Sequence, residues 1–513
     1  MRQLTSLDAQ FLALESSRTY GHVGGLAIYD PSTAPGGELT RKSMCRLLSE
    51  RLHLLPPFKW KLVQVPFGLD HPYWIEDPDF DLDFHIRDSA VPPPGGDAEV
   101  AETVSRIFAR PLDRAHPLWE LYLIHGIEGG RVGMLTKIHH SAVDGVSGAE
   151  ILTVLLDESP EGRDVPPPED FGAAEREPSQ VEMLTRGLLG VPRYPLRALG
   201  ALPTTLPNLD EIPGVSTLPG AGTVSRLATR LLRLAPGASG DGGILESERV
   251  RAPQTRFNTR ISQHRRFAFG SVSLDKVKAI KNELGITVND VVIALCATVL
   301  RDWLLERDEL PDEPLVAMVP VSVRTEEQRG TFGNRVSMMV APIPTDVADT
   351  RERLMRAHEV LKVAKERHKA VPATILQDAT QFIPPAVHAR ASRVVLGLQG
   401  IRPPLNVIVS NVPGPREPLY CAGAQLQANY PVSVITDGVG LNITVMSYRD
   451  HIDFGIVVDR EQVDDAWSMM EGVHAALDRI DRDVCRPDAP PPGPEEPARP
   501  APVSADAGPV VGG

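Results

Sequence analysis

Two stretches of chain, residues 1–157 and 251–485, alternate strand-like with helix-like patterns, and residues 158–250 between them do not. Prolines recur there, glycines cluster, and a plain loop of that length would be unusual. The break predicts two mixed α/β (α+β) domains of ordinary size joined by a long connector. No internal repeat of solenoid period is present. Residues 486–513 hold nine prolines in 28 residues and no aromatic, so this tail cannot bury a core and is expected to be disordered.

Within the first stretch, residues 24–29 (GGLAIY) read as a strand closed by Asp30 and Pro31. Met44, Leu47, Leu48, Leu52 and Leu55 recur at helical spacing. Residues 131–139 predict a strand entering a functional loop, and Ser147 with Glu150 fits a capping box ahead of the apolar run 151–156. In the second stretch, Thr287 and Asp290 signal another helix start, with the helix running to residue 304. Residues 315–323, 335–343, 405–410, 441–448 and 451–458 read as strands, with a hairpin turn at Asp450 and His451.

Charge and composition narrow the function. Lys plus Arg number 53 against 67 Asp plus Glu, a formal charge of −14, which argues against wholesale nucleic-acid binding. Cys45, Cys296, Cys421 and Cys485 have no C-x-x-C spacing, so the expectation is a reducing compartment without a disulfide framework or zinc ribbon. Asp8 and Glu15 interrupt the first residues, which lack the apolar stretch of a signal peptide, and no window offers ~20 predominantly apolar residues for a membrane span. A cytoplasmic protein that does not cross a membrane is expected.

The strongest chemical signal is residues 139–145, HHSAVDG, between the strand ending at residue 139 and the capped helix. A neutral imidazole can take a proton from a hydroxyl as that hydroxyl attacks a carbonyl. Adjacent side chains on a strand point to opposite faces, so His139 and His140 are poorly placed to bind one ion, and no metal is expected. His140 is therefore the candidate general base, His139 a supporting residue and Asp144 an orienting one that organises the turn. Gly145 permits the positive φ of a tight exit.

These residues carry a resemblance. HHxxxDG is similar to the active-site motif of the coenzyme-A-dependent acyltransferase superfamily, which includes condensation domains. Residues 4–11 (LTSLDAQF) resemble the opening of the bacterial wax ester synthase/diacylglycerol acyltransferase family. Pro117, Leu118 and Trp119 match its PLW motif, and Asn289 with Asp290 its ND motif. Gly333, Asn334 and Arg335 match a further block, and residues 411–415 (NVPGP) its late loop. The blocks occur in family order and span residues 4–460.

The resemblance implies two similar chloramphenicol-acetyltransferase-like domains with a substrate channel between them and His140 near its middle. It implies transfer of a long-chain acyl group from acyl-CoA, a substrate rather than a cofactor, to diacylglycerol or to a long-chain alcohol. Asn289, Asp290 and Gly145 become candidates for substrate binding or oxyanion stabilisation. Trp119 and Pro117 also fit plain packing and turn roles, Asp290 a capping role, and residues 411–415 a rigid loop. Arg335 has two readings, pairing with Asp144 or anchoring a loop. A non-catalytic lipid-binding or droplet protein of the same fold is the rival from another class, although His140 and Asp144 are both retained. A carrier-dependent condensation domain is the third reading, and residues after Cys485 are too few for a carrier domain.

A lipid acceptor implies peripheral contact with a membrane, at its inner face, or with lipid droplets. In the connector, Arg226, Arg230 and Arg233 form one stripe of a helical pattern, with Val224, Leu227, Leu231 and Leu234 on another. That pattern suits an interfacial helix and equally a helix packed on the protein's own surface.

Overall fold

The computed structural model describes residues 1–143, 148–167, 176–190, 252–322, 336–370 and 405–486. Asp144, Gly145, Ser147, residues 323–335 with Gly333, Asn334 and Arg335, the arginine stripe at 226–233 and the tail all lie outside the described residues.

Alternation along β2 (His22–Asp30) explains why it is a strand buried on both faces. Leu26 and Ile28 enter one core cluster and Ala27 and Tyr29 another. Its sheet also contains β5 (Ile86–Ala90), β6 (Trp119–His125), β7 (Val132–His139), β12 (Tyr420–Cys421) and β13 (Ala424–Val432). The order is β12-β13-β2-β7-β6-β5, antiparallel except for the β5–β6 pair. Two strands from the far end of the sequence thus complete the N-terminal sheet, and the division at 157 and 251 is crossed by β-pairing.

The second sheet is built from β8 (Arg265–Ser273), β9 (Leu315–Ser322), β10 (Val336–Ile343), β11 (Val407–Val412), β14 (Leu441–Tyr448) and β15 (His451–Asp459). Its order is β10-β9-β11-β14-β15-β8, with β11 parallel to both neighbours. A small third sheet joins β1 (Arg2–Gln3), β4 (Tyr73–Glu76) and β3 (Trp60–Val63).

The helices are α1 (Ser6–Leu14), α2 (Arg41–Arg51), α3 (Leu82–His85), α4 (Asp97–Phe108), α5 (His140–Val143), α6 (Gly148–Leu155), α7 (Gln180–Gly190), α8 (Leu274–Leu284), α9 (Val288–Leu305), α10 (Thr350–Ala370) and α11 (Trp467–Cys485). Thr287 caps α9 in a reciprocal capping box with Asp290, and Val291 to Leu300 of that helix are all buried. Against it pack α8, α10 and α11, making the core of the second half.

The two halves share a core as well as a sheet. Ile107 and Phe108 of α4 meet Phe267 and Phe269 of β8 and Val432 of β13 in one cluster. Gly455 of β15 lets β13 pass closely, since a Cβ there would lie 1.8 Å from the Pro431 carbonyl oxygen. Asp453 reinforces the junction from full burial: it accepts the Asn429 backbone N–H at 2.7 Å and the Ser271 hydroxyl at 2.6 Å.

Within the connector, α7 is a regular element, seated through Met183, Gly187 and Gly190. Its opposite face leaves Val181, Leu188 and Leu189 exposed, and Phe67, in the turn that α7 packs on, is 82% exposed. Arg186 pairs with Glu182 at 3.4 Å. Among the described residues, no single helix is long and apolar enough to cross a membrane.

Candidate active site

Strand β7 delivers the two histidines and stops. Its last residue, His139, lies opposite His22 of β2 in register, and the chain then turns into the four-residue α5 starting at His140. Two backbone bonds hold this corner: His139 N–H donates to Leu118 O at 2.9 Å, and His140 N–H to Gly21 O at 2.8 Å. Leu118 belongs to the PLW motif. Next to it Trp119 is buried, donates from Nε1 to Phe58 O at 2.8 Å and stacks on His85 at 4.3 Å. That motif therefore fixes the end of β7 from one side. Burial pushes the His85 imidazole down to about 4, so it is a neutral core group near pH 7.

His139 and His140 have different surroundings. His139 is 1% exposed. The Ser141 backbone N–H donates to its Nδ1 at 3.1 Å, so that nitrogen is an acceptor and the Ser141 hydroxyl, 2.6 Å away, donates to it as well. The ring proton is then on Nε2, which lies 3.2 Å from Glu15 Oε1. Nδ1 of His139 is thus committed within the protein, and its Nε2 faces the Glu15 carboxylate. His140 is half-buried and lies flat on Phe11, with ring centroids 4.0 Å apart and planes 15° from parallel. Stacking fixes the plane of the imidazole and leaves its nitrogens at the ring edge.

Glu15 closes the network. Oε1 accepts the Gly21 N–H at 2.8 Å and Oε2 accepts from Arg114 at 2.6 Å. Burial pushes its carboxyl up, but His139, the Gly21 N–H and Arg114 outweigh that and hold it at about 2. Beside this corner a small, partly open depression is lined by Ser141, Ala142, Thr5, Asp8, Trp60 and Trp74, among others.

A second group of the sequence-derived residues lies on the other half. Asn411, in β11, donates from Nδ2 to Asn289 Oδ1 at 3.3 Å, so the ND motif and the NVPGP loop meet. Asp290 accepts the Thr287 N–H at 2.9 Å and lies 2.7 Å from His358 Nδ1, and its carboxylate is taken up by the helix cap and that histidine. Among the described residues no hydrogen bond or ion pair joins this group to His139. Nor is any group of three His, Cys, Asp or Glu placed to hold a metal ion.

Sequence reasoning did not single out Glu15, Ser141 or Arg114. Glu15 stands one turn beyond Phe11, the last residue of the N-terminal block, and a lone glutamate past a helix has no pattern of its own.

The profile of the wax ester synthase/diacylglycerol acyltransferase catalytic domain matches residues 4–292, and that of the family's C-terminal domain matches residues 332–481. The chain belongs to this family. A putative diacylglycerol O-acyltransferase of Mycobacterium bovis is 33% identical over 488 residues, covering 93% of this chain and 98% of that one. Another, of Mycobacterium tuberculosis, is 35% identical over 486 residues, covering 94% and 100%. The solved wax ester synthase/diacylglycerol acyltransferase from Marinobacter aquaeolei superposes with a TM-score of 0.64 at 29% identity, covering 94% of this chain and all of that one. The first condensation domain of the CDA synthetase shares the fold, with a TM-score of 0.51 at 15% identity. The wax ester synthase/diacylglycerol acyltransferase family thus accounts for both halves of the chain and makes the protein an acyltransferase.

Proposed function

We propose that the protein transfers a long-chain acyl group from acyl-CoA to the free hydroxyl of diacylglycerol, making triacylglycerol, with His140 as general base. The observation that carries the assignment is the placement of His140: it opens α5 where β7 ends, half-buried, with the plane of its ring set by Phe11, whereas His139 is buried behind it with Nδ1 taken by Ser141.

The imidazole takes the acceptor's hydroxyl proton as that oxygen attacks the thioester carbonyl. The tetrahedral oxyanion collapses, the C–S bond breaks, and the imidazolium returns the proton to the departing thiolate. No covalent enzyme intermediate and no cofactor is needed. Asn289 is suited to donate to the oxyanion, because its own oxygen is engaged by Asn411 and its amide N–H groups remain for another partner. Asp144 orients the loop after His140, and Gly145 gives its exit.

The reaction takes place at a lipid surface, either the inner face of a membrane or a lipid droplet. Exposed Val181, Leu188 and Leu189 on α7, with exposed Phe67 in the turn that α7 packs on, support this reading as apolar surface available to a lipid.

The test is incubation of the purified protein with labelled acyl-CoA and either diacylglycerol or a long-chain alcohol. His140→Ala should lower turnover by roughly 10²–10⁴-fold, the usual worth of a positioned base, with the fold intact. Product from the alcohol alone would make the protein a wax ester synthase. A folded His140→Ala enzyme at full rate would remove the base assignment.

A further inference from the structure

Helix α1 ends at a residue that reaches the supports of both histidines. Glu15 is the C-terminal cap of α1, and its side chain is 13% exposed. Its Oε1 contacts His139 Nε2 and the Gly21 N–H, and the Gly21 carbonyl accepts the His140 N–H. One turn earlier on the same helix, Phe11 carries the His140 ring. Positions i and i+4 of one helix therefore serve the two consecutive histidines, Phe11 under His140 and Glu15 against His139.

The choice of a carboxylate here is informative. The C-terminal end of a helix repels negative charge, and a buried carboxylate is costly unless paired and hydrogen-bonded. Arg114 supplies the pairing: it binds Glu15 Oε2 and also donates to Leu12 O, tying itself to the end of α1. The other ionisable groups that sense this carboxylate are Tyr20 and His22. Gly21 completes the fit, since a Cβ there would lie 2.6 Å from His139 Nε2.

We propose that Glu15 is a positioning residue for the acyl transfer, acting through His139 and the Gly21 peptide to fix the corner from which His140 works. The inference rests on His140 as the base. Glu15 itself touches no reacting atom. It faces His139 Nε2 and holds the Gly21 peptide whose carbonyl accepts the His140 N–H, so it governs turnover rather than substrate affinity.

The experiment is a double-mutant cycle on the full chain, with kcat, both KM values and thermal melts for Glu15→Gln, Glu15→Ala, His140→Ala and Glu15→Ala/His140→Ala. Glu15→Ala should lower kcat per folded molecule by roughly 10–100-fold, as an error of about 1 Å in a catalytic group does, with KM values changed by no more than about threefold. Glu15→Gln keeps an acceptor oxygen for Gly21 and His139 and should recover most of the loss. The double variant should be no slower than His140→Ala alone, because residues that act through one group do not multiply their effects. Unchanged kcat per folded molecule in Glu15→Ala, or losses that multiply in the double variant, would overturn the proposal and leave His140 as base. A fully active His140→Ala would overturn both.

Discussion

Removing Arg51 should destabilise the join between the two halves far more than a surface arginine would. Its side chain is 3% exposed and that of its partner Asp157 is 4%, with Arg51 Nη2 2.7 Å from Asp157 Oδ2. Arg51 also donates to Val154 O at 3.0 Å. Asp157 in turn exchanges two backbone hydrogen bonds of 2.8 Å with Tyr420, the first residue of β12. Breaking a buried pair by deleting one member leaves an uncompensated charge, at about 3–5 kcal/mol. Arg163, 3.7 Å from Asp157 Oδ1 and 40% exposed, is placed to soften this, which puts Arg51→Leu toward the lower figure. At about 2–4 °C per kcal/mol for a domain of this size, the melting temperature should fall by roughly 6–12 °C. Calorimetry reads it directly. Arg51→Leu/Asp157→Leu should regain most of the loss, because an apolar pair can replace a buried ion pair at little net cost. An Arg51→Leu melt within about 2 °C of the parent, or a double variant less stable than the single, would refute the reasoning.

Two further outcomes follow from the junction of β13 and β15. The Asp453 carboxylate, 3.3 Å from Nε2, raises the His451 imidazole above its ordinary value, against the opposing effect of burial. Its stabilisation is therefore full below pH ~6.5 and is lost as pH rises through the raised value, and urea melts on His451→Gln should show a flatter decline between about pH 6 and 9 than the parent. Gly455→Ala should cost roughly 1–3 kcal/mol, at the upper end because the obstruction is the Pro431 backbone rather than a movable side chain, as denaturant melts would report.

Local elements were legible and distant pairings were not. The strand expected at 441–448 is β14, residue for residue, because its pattern and its turn at Asp450 are both local. The cap at Thr287 announced itself through Asp290, whereas the equivalent box at Thr40 uses Ser43 at the third position and has no comparable signature. Residues 418–436 carry no charge and read from sequence as a strand or a loop without distinction. That β13 pairs Ala428 with Ile28 could not be read, since alternation tells a strand which faces it presents and not which partner it takes. At the site, the sequence named the two histidines, and their separate surroundings came from Phe11, Glu15 and Ser141, whose roles depend on where α1 meets the end of β7.

The borrowed strand has a consequence during synthesis. β2 and β7 can pair as soon as residue 139 has been made, but the other edge of β2 has no partner until β13 emerges almost three hundred residues later. At translation rates of about 5–20 residues per second that interval is roughly 15–60 s. For that time the nascent chain carries an open edge whose two faces, Leu26 with Ile28 and Ala27 with Tyr29, are destined for two different cores. An unpaired apolar edge is a template for other chains. The cell must therefore shelter an unfinished N-terminal half, and a ribosome that stalls before residue 424 releases a fragment primed to aggregate rather than a small working domain.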